Sequence, residues 1–263
     1  MVVTLCSTDI KWEDKASNFQ YLEALFSKFS FTTDLVVLPE MFSTGFTMNI
    51  TMAENIDESY TLRWMQRMAA KYNFALLGSF PLLSDNNLSG KKSVVNRAFF
   101  VFPDGSFKYY DKRHLFRMGE ENSHYHEGKQ KCIVEYKGVK FLLNICYDLR
   151  FPVWSRNISN EYDVLVNIAN FPASRANVIE PLCRARAIEN LSYMIFVNRT
   201  GTDPQCKYIE SSYVFDYKGD NIGKRVDEFD IQVINSKIDV YALNNFREKF
   251  PAWMDSDKFE IIV

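Results

Sequence analysis

The sequence predicts an α/β fold in which two β-sheets pack together and helices cover their outer faces. Apolar runs of strand length alternate with amphipathic helical segments along most of the 263 residues. Roughly ten or more strand-like runs occur, and because that is too many for one small sheet, we expect two packed sheets. Hydrophobic residues make up 47% of the chain and aromatic residues 15%, which is enough to fill a large interior.

The first half of the chain repeats a helix–strand pattern and then turns back on itself. Large apolar side chains recur on one face of residues 16–29, which predicts an amphipathic helix over Ala16–Phe29. The other elements predicted here are a buried strand over Asp34–Pro39, a helix over Ser59–Tyr72, a strand over Ala75–Ser79, and a hairpin that pairs Arg97–Phe102 with Phe107–Tyr110.

The second half of the chain contains more strands and one long helix. We predict a hairpin of Cys132–Tyr136 with Val139–Ile145, a strand over Val164–Ile168, a helix over Val178–Asn190, a strand over Tyr193–Asn198, and two hairpin-like strands over Ser211–Asp216 and Asp230–Ile238. Residues 241–263 have aromatic side chains but no clear periodicity, and we interpret them as a C-terminal tail. Since no linker or change in composition interrupts the chain, residues 1–263 are expected to form a single domain.

Charge and cysteine content exclude several classes of protein. The net charge is −2 and no long basic run occurs, so we expect no nucleic-acid partner. Neither a signal peptide nor an apolar run of membrane-spanning length is visible, so we expect no membrane association. The five cysteines are scattered without a CxxC pair, which favours reduced thiols and a cytoplasmic protein. Because there is no CxxC pair and all three histidines lie in one short window, no zinc site is expected.

Three predicted strands end in residues that can perform chemistry. Glu40 follows the strand over Asp34–Pro39, Lys112 follows the second strand of the first hairpin, and Cys146 follows the strand over Val139–Ile145. Working residues gather at the carboxyl ends of strands in open α/β sheets, so these three side chains could converge. Considered one at a time, a glutamate or lysine there is more often a solvated charge and a cysteine more often part of the core.

Longer segments around these residues resemble the nitrilase superfamily of carbon–nitrogen hydrolases. The three signature segments occur in the family's order, as Leu38-Pro39-Glu40-Met41-Phe42, Tyr110-Asp111-Lys112-Arg113-His114-Leu115-Phe116 and Asn144-Ile145-Cys146-Tyr147-Asp148-Leu149-Arg150-Phe151-Pro152. Two later segments are also similar, Asn167–Ala173 and Cys183–Asn190. The resemblance implies a four-layer α-β-β-α sandwich of two mixed sheets and the hydrolysis of a carbon–nitrogen bond without a cofactor.

The resemblance also implies a role for each signature residue. Cys146 would be the nucleophile that forms a thioester, and Glu40 would be the general base that accepts its proton. Lys112 and the backbone N–H of Tyr147 would stabilise the oxyanion. A second carboxylate often follows the lysine in this family, and its register favours Glu121 over Glu120. A Cys–His couple that uses His114, His124 or His126 is the alternative mechanism.

The substrate class follows from a narrower resemblance to the omega-amidase branch, carried by Phe42-Ser43-Thr44-Gly45-Phe46 and His114-Leu115-Phe116-Arg117-Met118. It implies hydrolysis of the omega-amide of 2-oxoglutaramate or 2-oxosuccinamate. Arg175 or Arg117 could bind the distal carboxylate of such a substrate, and Arg150 is interpreted as a structural clamp to a buried carboxylate. The candidates for an apolar wall are Phe42, Phe46, Phe116 and Phe171.

Two other functions and the assembly state stay open at this point. The first alternative is another activity of the superfamily, on an N-carbamoyl compound, a peptide-like amide or a nitrile. The second is a non-catalytic relative that only binds a metabolite or partner. The resemblance further implies a homodimer formed through the helix over Val178–Asn190, which carries Arg184 and Arg186 beside small residues.

Overall fold

Two mixed β-sheets form the centre of the molecule in the computed structural model, which describes residues 1–84 and 93–262. The strands of this described part are β1 (Val2–Ser7), β2 (Leu35–Val37), β3 (Ala75–Ser84), β4 (Ser93–Val101), β5 (Phe107–Asp111), β6 (Ile133–Tyr136), β7 (Val139–Ile145), β8 (Val164–Ala169), β9 (Tyr193–Asn198), β10 (Gly201–Thr202), β11 (Lys207–Tyr208), β12 (Tyr213–Phe215), β13 (Lys224–Arg225) and β14 (Gln232–Lys237). The helices are α1 (Lys15–Ser27), α2 (Tyr60–Tyr72), α3 (Glu121–His124), α4 (Pro152–Ser155), α5 (Ile179–Asn190) and α6 (Val240–Lys249).

Each sheet has three parallel strands at its centre and antiparallel strands at its edges. Over residues 1–84 and 93–262, the first sheet has the order β13-β14-β1-β2-β3-β4-β5, with β1, β2 and β3 parallel. The second has the order β12-β9-β8-β7-β6, with β7, β8 and β9 parallel. Parallel strands buried on both faces require continuous apolar runs, which explains Leu35–Val37 and the similar runs in β8 and β9.

The layers follow the order helix, sheet, sheet, helix, so the predicted four-layer sandwich is confirmed. Apolar side chains from the two sheets face each other in one central cluster that includes Leu5 and Val37 of the first sheet and Phe141 and Val166 of the second. The outer face of the first sheet packs against α1 and α2, and the outer face of the second sheet packs against α5. Both sheets are therefore buried on both faces.

Capping side chains determine where the long helices begin. Asp14 accepts a hydrogen bond from Ser17 N at the start of α1, and Ser59 accepts one from Leu62 N at the start of α2. Helix α2 ends at Asn73, which adopts the left-handed conformation. The three long helices predicted from the sequence agree with α1, α2 and α5 to within about two residues, as expected when caps rather than apolar periodicity fix the ends.

Two predictions about the C-terminal third of the chain were wrong. The strands predicted over Ser211–Asp216 and Asp230–Ile238 do not pair, because β12 lies at the edge of the second sheet and β14 lies beside β1 in the first. The segment predicted to be an aperiodic tail contains α6, capped by Asp239. Arg247 holds helix α6 against the second sheet by pairing with Asp163 and donating to the Leu191 carbonyl. Such tertiary contacts leave no periodic pattern in the sequence, so the helix was not predicted.

The topology brings four polar residues to one region between the sheets. Glu40 lies three residues beyond β2, Lys112 directly follows β5, Cys146 directly follows β7 and Asn170 directly follows β8. The neighbouring strands β7 and β8 are parallel, so their carboxyl ends lie on the same side of the second sheet, and the backbone N–H of Asn170 reaches Glu40 of the first sheet from there. Over the described ranges, no helix has the length and apolar character needed to cross a membrane.

Candidate active site

A buried lysine lies between two buried glutamates at the centre of the site. Lys112 Nζ is 2.7 Å from Glu40 Oε1 and 2.9 Å from Glu121 Oε2, and all three side chains are fully buried. Cys146 lies beside this cluster, where the charges of both Glu40 and Lys112 act on the pKa of its thiol. The structure thus brings together the nucleophile, base and lysine candidates that the sequence placed far apart.

The Glu40 carboxylate is held by donors from both sheets. Its Oε1 accepts from Asn96 Nδ2 at 2.8 Å, and its Oε2 accepts from the backbone N–H of Asn170 at 2.9 Å. The chain reverses just after Glu40, where Met41 has a φ of +45° and donates to Ser79 Oγ at 2.9 Å. This turn stabilises the carboxylate in one orientation beside the thiol.

The second carboxylate of the site is Glu121 rather than Glu120. Glu121 is the first residue of α3, and its Oε2 accepts from the backbone N–H of Phe116 at 2.6 Å. Glu120 is exposed and has a φ of +58°, a left-handed conformation that turns the chain into α3. The Glu121 carboxylate therefore contacts both Lys112 and Phe116, and these contacts fix the loop that leads from the lysine to α3.

Burial and charge keep the resting thiol neutral. Burial, together with the negative charge of Glu40, raises the pKa of Cys146 well above its usual value, and the opposing effect of Lys112 is smaller. Burial alone would lower the pKa of Lys112, but the charges of Glu121 and Glu40 outweigh it and raise that pKa. Burial also raises the pKa of Glu121. A nucleophilic role for this thiol would therefore require a nearby proton acceptor, and Glu40 is the carboxylate whose charge acts on it most strongly.

Cys146, the candidate nucleophile, occupies a strained turn at the end of β7. Cys146 has a φ of +47°, a left-handed conformation that is unfavourable for a residue with a Cβ, and it begins a 3₁₀ turn over Cys146–Arg150. Its carbonyl oxygen accepts from Asn167 Nδ2 at 3.4 Å. This turn places both Cys146 and Tyr147 on the wall of a cavity.

The cavity has a volume of about 170 Å³, and its lining combines aromatic and cationic side chains with the carboxylate of Asp203, which accepts from Tyr208 OH and from the backbone N–H groups of Gln205 and Cys206. Its aromatic lining includes Phe46, Phe116 and Phe171. Two guanidinium groups lie over Phe171, with the carbon of Arg175 at 5.8 Å and that of Arg150 at 5.7 Å from the ring centre. Within residues 1–84 and 93–262, neither arginine forms an ion pair. A small molecule bound here would have the thiol at one end and positive charge close by.

Three predictions for residues around the cavity are corrected by the structure. Phe42 packs in the core against Trp64 and does not line the cavity; its ring lies so close to Gly78 that a Cβ there would be 2.7 Å from it. Arg117 is exposed and lies outside the cavity lining. Arg150 was interpreted as a structural clamp, but it lines the cavity instead.

The histidines do not couple with Cys146. His114 Nδ1 lies 2.8 Å from Asp148 Oδ1, and its ring stacks on Phe151. His124 and His126 are exposed. No group of three or more His, Cys, Asp or Glu side chains over the described residues is arranged to hold a metal ion.

Two asparagines of the site were missed by the sequence analysis. Asn96 and Asn170 both bind Glu40, yet an asparagine in a strand or at its end has no distinctive pattern. Asn170 could have been found, because it directly follows a buried parallel strand, as the three predicted residues follow theirs.

Residues 2–248 match the carbon-nitrogen hydrolase family. The chain is 39% identical to Omega-amidase YafV of Escherichia coli K12 over 98% of both chains, and 28% identical to 2-oxoglutaramate amidase of Bacillus subtilis over 95% of both. The crystal structure of XC1258 from Xanthomonas campestris, a CN-hydrolase superfamily protein with an arsenic adduct in its active site, superposes with a TM-score of 0.91 at 37% identity, covering 99% of this chain and 98% of that one. The chain therefore belongs to the carbon–nitrogen hydrolase family, and its fold is that of the nitrilase superfamily.

Proposed function

We propose that this protein is an omega-amidase that hydrolyses the amide of a short 2-oxo dicarboxylic acid monoamide, 2-oxoglutaramate or 2-oxosuccinamate, to the dicarboxylate and ammonia. The observation that carries the proposal is that one small cavity contains both the Cys146 nucleophile and the guanidinium groups of Arg150 and Arg175. The names of the full-length relatives, Omega-amidase YafV and 2-oxoglutaramate amidase, support the same activity.

The first half of the reaction forms a thioester. Glu40 accepts the proton of Cys146 while Sγ bonds to the amide carbon, so that the carbonyl oxygen becomes negative. The ammonium of Lys112 and the backbone N–H of Tyr147 stabilise that oxyanion. One such donor lowers the activation barrier by roughly 3 kcal/mol. Glu40 then transfers its proton to the amide nitrogen, the C–N bond breaks and ammonia leaves.

The second half regenerates the enzyme. Glu40 accepts a proton from water while the water oxygen attacks the thioester carbon. The C–S bond breaks, the acid leaves, and Glu40 returns its proton to the sulfur, which restores both the thiol and the carboxylate. The position of Glu40 between the thiol and Lys112 supports this alternation, because the ammonium stabilises the carboxylate whenever the proton is elsewhere.

Glu121 serves as the counter-charge that keeps Lys112 ionised. A buried lysine next to one carboxylate could transfer its proton, but the charge of Glu121 raises its pKa further. Two contacts from Glu121, at 2.9 and 3.0 Å, hold the ammonium in place. We assign Glu121 no proton transfer of its own.

The distal carboxylate of the substrate is assigned to Arg175 and Arg150. Arg175 lies over Phe116 at 4.8 Å as well as over Phe171, so its planar group is supported on two rings and its N–H edge is free to pair. The small cavity volume favours a short linear substrate over a bulky aromatic nitrile.

We further propose that the enzyme is a cytoplasmic homodimer. All five cysteines are free, a state that persists in a reducing compartment. The homodimer is supported by the family resemblance, which places the partner on the outer face of helix α5, where Ile188 is exposed at 47%. Arg186, one of the two arginines predicted there, does not contribute to such a face, because it is buried and donates to the Leu149 carbonyl of its own chain.

An ammonia-release panel tests the activity. The panel compares 2-oxoglutaramate and 2-oxosuccinamate with simple amides, N-carbamoyl compounds and nitriles at equal concentration. We expect the highest kcat/KM for the 2-oxo acid amides; a higher value for another class would overturn the substrate proposal, and turnover of none would favour a non-catalytic relative. Mass spectrometry of a quenched reaction should find the acyl group on Cys146 and not on the fully buried Cys6 or Cys183.

A further inference from the structure

A third buried carboxylate, which the mechanism does not use, lies in the turn that contains Cys146. Asp148 is fully buried within Cys146–Arg150. Its Oδ2 accepts from the backbone N–H of Ile145 at 2.9 Å and from Tyr110 OH at 2.8 Å. Its Oδ1 accepts from the backbone N–H of His114 at 3.0 Å and contacts His114 Nδ1 at 2.8 Å.

The partners of Asp148 flank the catalytic lysine on both sides. Tyr110 lies two residues before Lys112 and His114 lies two residues after it. Tyr110 belongs to β5 of the first sheet, whereas the turn that begins at Cys146 extends β7 of the second sheet. Asp148 therefore connects the lysine segment to the nucleophile turn across the interface between the two sheets.

The remaining contacts of this network make it rigid. The His114 ring stacks on Phe151 with centres 3.7 Å apart and planes 5° from parallel. Trp154 Nε1 donates to Tyr110 OH at 3.0 Å, so the tyrosine hydroxyl both donates and accepts. Within residues 1–84 and 93–262, no lysine or arginine pairs with Asp148, and its oxygens are held by two backbone N–H groups, the Tyr110 hydroxyl and the His114 ring.

We propose that Asp148 is a positioning residue that holds the ammonium of Lys112 at its working distance from Cys146 by binding Tyr110 and His114 at once. The proposal rests on the proposed function for the roles of Lys112 and Cys146. The oxyanion forms on the oxygen of the carbon that Cys146 attacks. The distance from Lys112 Nζ to the sulfur therefore decides whether the ammonium can reach that oxygen. A displacement of about 1 Å can cost on the order of 100-fold in rate.

The test compares Asp148→Asn with Asp163→Asn. Asp163 is also a buried carboxylate, but it pairs with Arg247 at the opposite end of β8 from the site. In both variants kcat is divided by the fraction of Cys146 that iodoacetamide can alkylate, so that unfolded protein does not count. We expect Asp148→Asn to lower this kcat about 10- to 100-fold and to change KM less than threefold. Asp163→Asn should leave kcat per site within twofold. Equal losses in both variants, or kcat within twofold in Asp148→Asn, would overturn the proposal.

A pair of histidine variants decides the question if Asp148→Asn does not fold. His114 is partly exposed, so its replacement is less disruptive. His114→Asn retains an N–H near the position of Nδ1, whereas His114→Leu removes it. We expect kcat about 10-fold lower in the leucine variant and within threefold of the parent in the asparagine variant. The same kcat in both would contradict the proposal.

A readout without substrate separates this inference from the proposed function. The charge of Lys112 lowers the pKa of Cys146, so an ammonium that has moved away allows that pKa to rise. The pH at which iodoacetamide alkylates Cys146 should therefore increase in Asp148→Asn and stay constant in Asp163→Asn. An unchanged alkylation profile would contradict the positioning role of Asp148, whatever the activity of the parent enzyme. The proposed function is contradicted by a different result, namely that the parent enzyme hydrolyses none of the amides tested.

Discussion

Asn170 holds both the backbone and the side chain of Glu40. Its Nδ2 donates to the Glu40 carbonyl at 2.6 Å, and its backbone N–H donates to Glu40 Oε2 at 2.9 Å. Asn170 follows β8 in the second sheet and Glu40 follows β2 in the first, so the two contacts cross the interface between the sheets. These contacts connect Glu40 of the first sheet to the end of β8, next to the strand that carries Cys146 in the second sheet.

Replacing the base should activate the thiol while abolishing turnover. The charge of Glu40 raises the pKa of Cys146, and Lys112 lowers it. Glu40→Gln removes the negative charge and leaves the ammonium, so the pKa of Cys146 should fall. We expect iodoacetamide to alkylate Cys146 at a lower pH than in the parent, while ammonia release drops by about 100-fold or more.

Cys206 provides an internal control for the same experiment. It is partly exposed and lines the cavity, but Glu40 is not among the groups that shift its pKa. Its alkylation profile should therefore be unaffected by Glu40→Gln. If Cys146 reacted at a higher pH in this variant, the carboxylate would not be the group that suppresses the thiolate.

Replacing the cavity arginines should weaken binding of the distal carboxylate and leave the rate of amide hydrolysis unchanged for uncharged substrates. A hydrogen bond to a charged group contributes about 1.5–3 kcal/mol, which corresponds to about 10- to 100-fold in kcat/KM. We expect Arg175→Ala and Arg150→Ala to lower kcat/KM for 2-oxoglutaramate by that factor while changing the rate with an uncharged small amide less than threefold.

Arg117→Ala is the matched control for these variants, because this arginine is exposed and lies outside the cavity lining. Its kinetics should equal those of the parent with both substrates. If Arg117→Ala were the variant that lost activity with the charged substrate, the carboxylate would bind on the outer side of the loop over residues 116–120.

Two phenylalanines that the sequence presented as equivalent should respond differently to truncation. Phe42 is buried against Phe19 and Trp64, so Phe42→Ala should lower the free energy of unfolding by about 3–5 kcal/mol. Phe116 lines the cavity, so Phe116→Ala should raise KM with a smaller change in stability. Urea unfolding and steady-state kinetics on both variants check this, and a matching loss of stability in the two would contradict it.

Most of the fold could be predicted because its central strands are fully buried. Continuous apolar runs such as Val164–Ala169 and Tyr193–Asn198 can be recognised locally, and their number required a second sheet. Sheet membership could not be predicted in the same way. The strands β12 and β14 lie close in sequence but pair with β9 and β1, and local patterns do not specify long-range pairing.

The candidate site could also be predicted only in part, because some of its residues belong to local motifs and others are placed by long-range contacts. Glu40, Lys112 and Cys146 belong to three short motifs that are weak evidence one at a time but indicate the site when they occur together in the family's order. The direction of a side chain is not recorded in a motif, which is why Phe42 and Arg150 were each assigned the other's kind of role. The contacts that position the site are made across the sheet interface, and the chain order gives no indication of them.

Removing the lysine should destabilise the protein in a pH-dependent way. Lys112→Met leaves Glu40 and Glu121 buried together without a cation, and breaking such a cluster costs about 3–5 kcal/mol. Burial and the charge of Glu40 already raise the pKa of Glu121, and Lys112 opposes that rise, so the pKa should increase further in the variant.

The sign of the pH effect follows from that increase. A carboxyl group whose pKa is higher in the folded state than in the unfolded state stabilises the fold when it is protonated, and this stability is lost as the pH rises through the folded pKa. Urea unfolding from pH 8 to pH 5 should therefore show the gap between Lys112→Met and the parent becoming smaller as the pH falls. In Lys112→Met/Glu121→Gln the gap should be smaller and flatter, because the amide does not titrate. A gap that stayed constant with pH in the single variant would mean that the lysine acts through packing and not through its charge.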